Sequence, residues 1–469
     1  MLASHSQVFY DPVAMADYET VRQRHVERFA QLQPEYIARI GWPAERLREE
    51  RERRLRELIR VAKERSRWHQ LRLSHIDADS VTEADLPSIP PMTKDDMMQN
   101  LEGIWTDRRL TRDAVEAHLD ALTDDAYLFD EFHAASSGGS SGTRGVFVYG
   151  WDAWVIAYLT FVRFRRRLML SDPEMGLMAP TVMVAAGKAT HMTYAMARTF
   201  RGGANVTAVP ATLPLPDIVA RLNELQPLGI TGYPTMMYAL AKEAASGHLH
   251  IKPRLVGSNS EPLLPEMRRA IEDAWGYPPV NVFGTSEGAA ASGCGQSAGM
   301  HLGEDTAIFE FVDDSGEPVP PDRRCAKMYV TNLFNHVQPL IRYELTDEAT
   351  LLDEPCPCGS AMRRIDDIEG RMDDIFTYPG GIVVHPIVFR SQLGHERNIV
   401  EYQVRQTAWG AEISVRTLGP VDTAALAAAI ERDLTASGLA NARVSIFSVE
   451  SLDRQQTGKL KRFVPLLSV

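Results

Sequence analysis

The chain has 469 residues, 44% hydrophobic and 24% charged, which excludes a disordered or fibrous chain and suits about three domains or subdomains. Fifty Lys and Arg against 62 Asp and Glu give a formal charge of −12, which speaks against a nucleic-acid partner. Four cysteines make no disulfide framework, no leader pattern opens the sequence, and the most apolar stretch, 151–162, is cut short by Arg163, Arg165, Arg166 and Arg167. A cytoplasmic enzyme with no membrane partner is expected.

Residues 44–68, rich in Arg, Glu and Leu, predict a charged helix with one buried stripe of Leu47, Leu55, Leu58 and Ile59. Such a surface helix leaves a homodimer open. Segment 86–96, LPSIPPMTKDD, reads as a proline-rich connection into a helix capped by Thr93, with Asp96 three residues on. YLFDEF (127–132) and GVFVY (145–149) read as strands around a Ser/Gly/Thr loop. Apolar runs at 176–186 and 204–211 alternate with helical segments such as 265–276, opened by Pro265 and closed by Gly276. This alternation predicts an α/β architecture. The last hundred residues read as a small α+β domain: strand 411–418, helix 422–438 capped by Asp422, strand 442–449. A boundary falls near EGRMDDIF (369–376).

Five segments can carry chemistry. The loop from Ser136 to Gly145 holds four Ser, one Thr and four Gly. Backbone N–H groups and hydroxyls in such a loop can grip phosphate, although it lacks both the P-loop and the dinucleotide fingerprints. FGTSEG (283–288) sets Ser286 beside Glu287, one carboxylate suited to Mg²⁺ near phosphate. Asp347 follows LIRY and can accept from ribose hydroxyls. EGRMDDIF supplies Arg371 and Asp373, and QTGKLKRF places Lys459 near the chain end.

These segments, in this order, resemble the signature of the adenylate-forming superfamily, and specifically its phenylacetate–CoA ligase branch. LPSIPPMTKDDM, FGTSEG and LIRYELTD are similar to that branch's segments, and the resemblance runs from about residue 86 to the end. It implies a large N-terminal α/β domain (1–370) that binds ATP and the acid, a hinge (371–375) and a small mobile domain (376–469). It implies that a carboxylic acid and ATP form an acyl-adenylate, which then passes to the thiol of coenzyme A.

Carried over residue by residue, Ser140, Ser141, Gly142, Thr143, Arg144 and Gly145 would hold the β- and γ-phosphates. Ser260, Glu261 and Pro262 would contact adenine. Phe283, Gly284 and Thr285 would line the nucleotide, with Ser286 at the α-phosphate and Glu287 on Mg²⁺. Asp347 and Arg371 would hold the ribose, Asp373 would be the hinge, and catalytic Lys459 would reach the substrate carboxylate. Gly380 and Gly381 resemble the glycines that let the CoA arm pass. Val146-Phe147, Glu344, Val383 and Gln456 depart from the family's common residues. A carrier protein or another nucleophile therefore stays open as acceptor, and a non-catalytic nucleotide-binding chain is the alternative from another class.

His191, Tyr194, Tyr233 and Pro234 are candidates to line a pocket for an aryl or medium apolar acid, with plain core packing as the equal alternative. Cys294, His301, Cys356 and Cys358 can form a four-ligand structural zinc site, with Pro357 and Gly359 shaping a tight knuckle; reduced buried thiols are the alternative.

Overall fold

The computed structural model describes residues 17–137, 145–185, 190–200, 205–211, 213–261, 263–366, 376–384, 386–394, 396, 398–452 and 463–466. Two long helices open it, Tyr18–Ala38 and Ala44–Arg65. Leu47, Leu55, Leu58 and Ile59 are all buried, and the last three pack against Ile308, Leu333 and Ile341. The expected single helix 44–68 is two. It stops at Arg65 because Ser66 is extended and accepts from the His69 N–H, which starts a second helix, Arg67–Arg72. Asp305, fully buried, binds Arg163 at 2.7 Å and Arg39 at 3.3 Å and so ties the N-terminal helices to the body.

Strands β1 (His133–Ser137) and β2 (Gly145–Tyr149) form an antiparallel hairpin. YLFDEF is not a strand. Phe129 and Asp130 both adopt positive φ (57° and 55°), and Leu128 and Phe132 bridge across this tight turn. Five strands are parallel: β3 (Thr181–Ala185), β4 (Val206–Pro210), β5 (Gly229–Gly232), β6 (Leu255–Asn259) and β7 (Val280–Gly284). Antiparallel β8 (Ala290–Ser292) and β9 (Met300–Leu302) follow. β10 (Ala307–Val312), β11 (Lys327–Asn332) and β12 (Tyr343–Leu345) make a separate antiparallel sheet. β13 (Leu351–Leu352) and β14 (Arg364–Ile365) complete a nine-stranded sheet of order β13-β14-β9-β8-β7-β6-β5-β3-β4.

The C-terminal part has a core of its own, drawn entirely from residues between Phe376 and Phe463. β15 (Phe376–Tyr378) and β16 (Ile382–Val384) pair around Gly380 and Gly381, both at positive φ. β17 (Ile399–Thr407), β18 (Gly410–Thr417), β19 (Arg443–Ser448) and β20 (Phe463–Val464) form a sheet of order β19-β18-β17-β20. Helix Thr423–Ala436, capped by Asp422 as expected, connects the parallel pair β18 and β19. The architecture is therefore a large α/β domain followed by a small α+β one. Among the described residues no helix is long and apolar enough to cross a membrane.

Candidate active site and cysteine–histidine centre

The connections from β3 leave to β4 on one side and return to β5 on the other, so the sheet reverses its winding between β3 and β5. Such a switch point opens a crevice at the carboxyl ends of the strands. Eight of the sequence candidates lie at that edge. His191 precedes helix Met192–Thr199 after β3, and Tyr233 and Pro234 start helix Pro234–Ala245 after β5. Ser260 and Glu261 follow β6, and Thr285, Ser286 and Glu287 follow β7.

Each turn has a local cause. Ser260 takes a positive φ of 66°, and its hydroxyl donates to Asn259 Oδ1 at 2.9 Å. The Glu261 carboxylate accepts from Thr235 Oγ1 at 2.8 Å, so it ties the β6 turn to the helix that follows β5. After β7 the Gly288 N–H donates to the Thr285 carbonyl at 3.1 Å, and the Thr285 N–H to the Ala289 carbonyl at 3.0 Å. Gly288 is obligatory there: φ is +90° and a Cβ would stand 2.2 Å from Asn332 Nδ2. Gly284 leaves room for the Phe161 ring, 2.7 Å from where its Cβ would be. Phe283 is half-buried.

Glu287 is buried among Tyr149, Asn332 and Tyr343, the last of these from the LIRY segment. Tyr149 donates to the Ser286 carbonyl at 2.7 Å, and Asn332 Nδ2 donates to the Glu287 carbonyl at 2.8 Å. The buried Tyr343 hydroxyl faces the Glu287 carboxylate. Burial first, and that charge second, drive the pKa of Tyr343 well up; Tyr149 is raised for the same two reasons. Asp347 is half-buried, and burial, then Glu287, push its carboxyl up to about 6, against the opposing charge of Lys94. Asp347 and Glu287 therefore share one electrostatic environment.

Lys94, within LPSIPPMTKDDM, is a further charged group that acts on Asp347. Met92 bridges Tyr343: its N–H donates to the Arg342 carbonyl at 2.8 Å, and its carbonyl accepts from the Glu344 N–H at 2.9 Å. This docks the expected capped helix, Lys94–Gln99, beside β12. Lys94 Nζ then donates to Ser137 Oγ at 3.4 Å, at the end of β1. Ser137 Oγ also accepts from the Gly145 N–H at 3.0 Å, which closes the base of the hairpin.

Tyr194 turns from the crevice toward Asp124. Its hydroxyl donates to Asp124 Oδ1 at 3.1 Å, and Arg198 binds the same carboxylate. Glu344, a departure from the family pattern, pairs with Lys327 at 2.9 Å, and Val383 is 56% exposed beside the Gly380–Gly381 turn. Ser140, Ser141, Gly142, Thr143, Arg144, Pro262, Arg371, Asp373, Gln456 and Lys459 lie outside the described residues.

The second centre is compact. The ligand atoms of Cys294, His301, Cys356 and Cys358 all lie within 4.8 Å of one another. Cys294 and Cys356 sulfurs are 3.5 Å apart, and Cys358 Sγ lies 3.3 Å from His301 Nε2. Tetrahedral zinc sets S···S at about 3.8 Å and S···N at about 3.6 Å, so the donor set fits that ion. His301 Nδ1 donates to the Met362 carbonyl at 2.9 Å, which leaves Nε2 with its lone pair toward the sulfurs. Burial lowers the His301 pKa to about 4 and keeps the ring neutral. Burial opposes ionisation of Cys356, but hydrogen bonds, led by that from Ser297, outweigh it and lower its pKa. Gly359 takes the expected knuckle turn with φ +77°, and its N–H donates to the Cys356 carbonyl at 3.1 Å. Cys325 stands apart and accepts from the Ala349 N–H at 3.4 Å.

No protein-family model matches the chain. It is 28% identical over 218 residues to a phenylacetate-coenzyme A ligase of Thermus thermophilus, covering 44% of this chain and 46% of that protein. To a phenylacetate-coenzyme A ligase of Pseudomonas putida it is 30% identical over 184 residues, covering 37% and 40%. The match thus spans less than half the length of these two relatives. Protein CapK of Staphylococcus aureus is 22% identical over 369 residues, 75% of this chain and 74% of that one. Among solved structures, a 2-hydroxyisobutyryl-CoA ligase with 2-HIB-AMP and CoA in the thioesterification state has a TM-score of 0.58 at 20% identity, covering 91% of each chain. An open conformation of that ligase with the same two ligands has a TM-score of 0.56 at 20% identity, covering 91% of this chain and 93% of the other. These likenesses bear out the resemblance that the motifs carry, and the solved structures share the α/β fold.

Proposed function

We propose that the protein is an AMP-forming acid–CoA ligase. The observation that carries this is one edge of one sheet: Ser260, Glu261 and Thr285–Glu287 lie there together, and Asp347 is electrostatically coupled to Glu287. The named function of the two partial relatives, phenylacetate–CoA ligation, supports the same reading.

In the first step an acid carboxylate oxygen attacks the α-phosphorus of ATP, and the bond to pyrophosphate breaks. In the second a CoA sulfur attacks the acyl carbon, and the bond to AMP breaks. The difficulty of the first step is charge, since an anion attacks a polyanion. Glu287 would hold Mg²⁺, which supplies charge neutralisation at the phosphates. Ser286 would meet the α-phosphate, Ser140–Gly145 the outer phosphates, and Asp347 with Arg371 the ribose. Lys459 would bring a positive charge to the reacting carboxylate, carried in by the small domain about Asp373. Gly380 and Gly381, with no side chains, would leave a passage for the CoA arm. His191, Tyr233 and Pro234, beside buried Met192 and Met237, suit an aryl or medium apolar acid. Cys294, His301, Cys356 and Cys358 would hold a structural zinc ion.

The test is pyrophosphate release with MgATP over a panel of aryl and medium-chain acids, with and without CoA. Multiple turnovers that need CoA, and a thioester by mass, are expected. Release indifferent to CoA would move the acceptor to a carrier protein or another nucleophile. Lys459→Ala is expected to lose about 10²–10³-fold in pyrophosphate release while MgATP affinity stays within a few-fold. Equal loss of both would contradict the role given to Lys459.

A further inference from the structure

From the end of β11 toward β12, the chain reaches both halves of the proposed nucleotide site through three buried amides. β2 pairs with β1 along one edge, and among the described residues no strand covers its other edge. Gln338 covers it instead. Its Oε1 accepts from the Val148 N–H at 2.7 Å, and its Nε2 donates to the Val146 carbonyl at 3.1 Å. One side chain thus makes the pair of bonds that a third strand would make. Asn335 Nδ2 donates to the Val148 carbonyl at 2.9 Å.

Asn332, the last residue of β11, makes the other connection. Its Nδ2 donates to the Glu287 carbonyl, and its Oδ1 accepts from the Phe334 and Asn335 N–H groups, both at 3.0 Å. None of the three amides is more than 2% exposed. Buried amides are costly unless satisfied, so their bonds hold a defined geometry or the segment does not pack. Here the bonds run to the backbone of two segments: the strand that follows the Ser/Gly stretch, and the turn that carries Glu287. Gly288, which can only be glycine against Asn332, shows how close the second approach is.

We propose that Asn332, Asn335 and Gln338 are positioning residues that fix strand β2 against the Glu287 turn, and so preorganise that edge for MgATP. This inference rests on the nucleotide reading given above. A misplacement of about 1 Å at such a site can cost on the order of 10²-fold in rate. The side chain at 338 needs an amide's donor and acceptor, whereas packing alone would accept an unbranched apolar chain of similar length.

The test compares Gln338→Met, which removes both bonds to β2, with the milder Asn335→Ala. MgATP affinity is measured by calorimetry without acid, the Michaelis constants for ATP and acid by pyrophosphate exchange, and Tm on the same samples. For Gln338→Met we expect MgATP affinity about 10-fold weaker or more, with the acid constant within about twofold. Asn335→Ala should show the same split at about threefold. MgATP affinity unchanged in folded variants, or all constants falling together with Tm, would overturn the proposal. If Gln338→Met fails to fold, Asn335→Ala decides by the same criterion. Wild-type protein that binds MgATP but activates no acid would refute the ligase reading and leave the amides to be judged on MgATP affinity. Wild-type protein that does not bind MgATP refutes both.

Discussion

The cysteine–histidine centre and the proposed nucleotide edge are built on opposite plans. The first draws four candidate ligands from two short segments, 294–301 and 356–358. These meet because β14 pairs with β9, placing Arg364 opposite His301 and the Met362 carbonyl on the His301 ring. The second draws on the ends of β3, β5, β6 and β7, on Asp347 beyond β12, and on Lys94 from near the start of the fold. The thiols and imidazole are brought together in a geometry that one ion satisfies. Burial and the Glu287 charge raise the cost of ionising Asp347 instead. A structural centre can be finished by local strand pairing, while a reacting site keeps uncompensated charge until its ligand arrives.

The sharpest way to break this contrast is at the ligands of the first centre. Cys356→Ser should take zinc content from about one ion per chain toward none and lower Tm by about 5 °C or more, since metal binding free energy is folding free energy. Elemental analysis and thermal unfolding check this. Wild-type protein that carries no zinc, and whose Tm ignores both added zinc and chelator, would make these four residues ordinary buried thiols and an imidazole.

A smaller effect tests the other side. Asp347 has a folded pKa of about 6, above the roughly 3.9 of an unfolded aspartate. Between those values the folded state binds more protons than the unfolded state. Its contribution to stability is therefore fully present below about pH 4 and is lost as pH rises through about 6. Asp347→Asn cannot lose that proton. Without nucleotide or Mg²⁺, the variant should unfold at a higher temperature than wild type at pH 8, with the gap closing by about pH 4. MgATP affinity should fall in the same protein. A gap that does not change with pH would remove the electrostatic cost from the nucleotide edge, and the contrast with it.

These two regions also differ in how far the sequence discloses them. Cys294, His301, Cys356 and Cys358 are chemically distinctive, and their spacing carries most of the information. Capped helices are equally legible: Thr93 with Asp96, Pro265 with Gly276, and Asp422 all stand where local rules put them. The turn at Phe129 and Asp130 is not, because an aromatic at positive φ defies local propensity and is held there by the fold. Lys94 and the amides of Asn335 and Gln338 are hidden for another reason. Their roles depend on pairings such as Met92 with Tyr343, about 250 residues apart, which no local pattern encodes. A signal for Gln338 existed: it is a lone amide within the apolar run VQPLI, and its side chain ends up fully buried.

The smallest test concerns that hidden contribution. Lys94 is the first residue of its helix, and the capping box sets where that helix begins. Thr93 Oγ1 accepts from the Asp96 N–H at 3.1 Å, and Asp96 Oδ2 accepts from the Thr93 N–H at 2.9 Å. Thr93→Ala should cost about 1 kcal/mol of stability. Thr111→Ala is the matched control, since Thr111 caps helix Arg112–Ala121 through the Ala114 N–H at 3.2 Å. Both variants should lower Tm by about 1–2 °C. Thr93→Ala alone should also weaken MgATP binding, by about two- to threefold, because the frayed turn releases Lys94 from the side of Ser137 and Asp347. If the two variants change MgATP affinity equally, the start of that helix stabilises the fold without aiming Lys94 at the nucleotide edge.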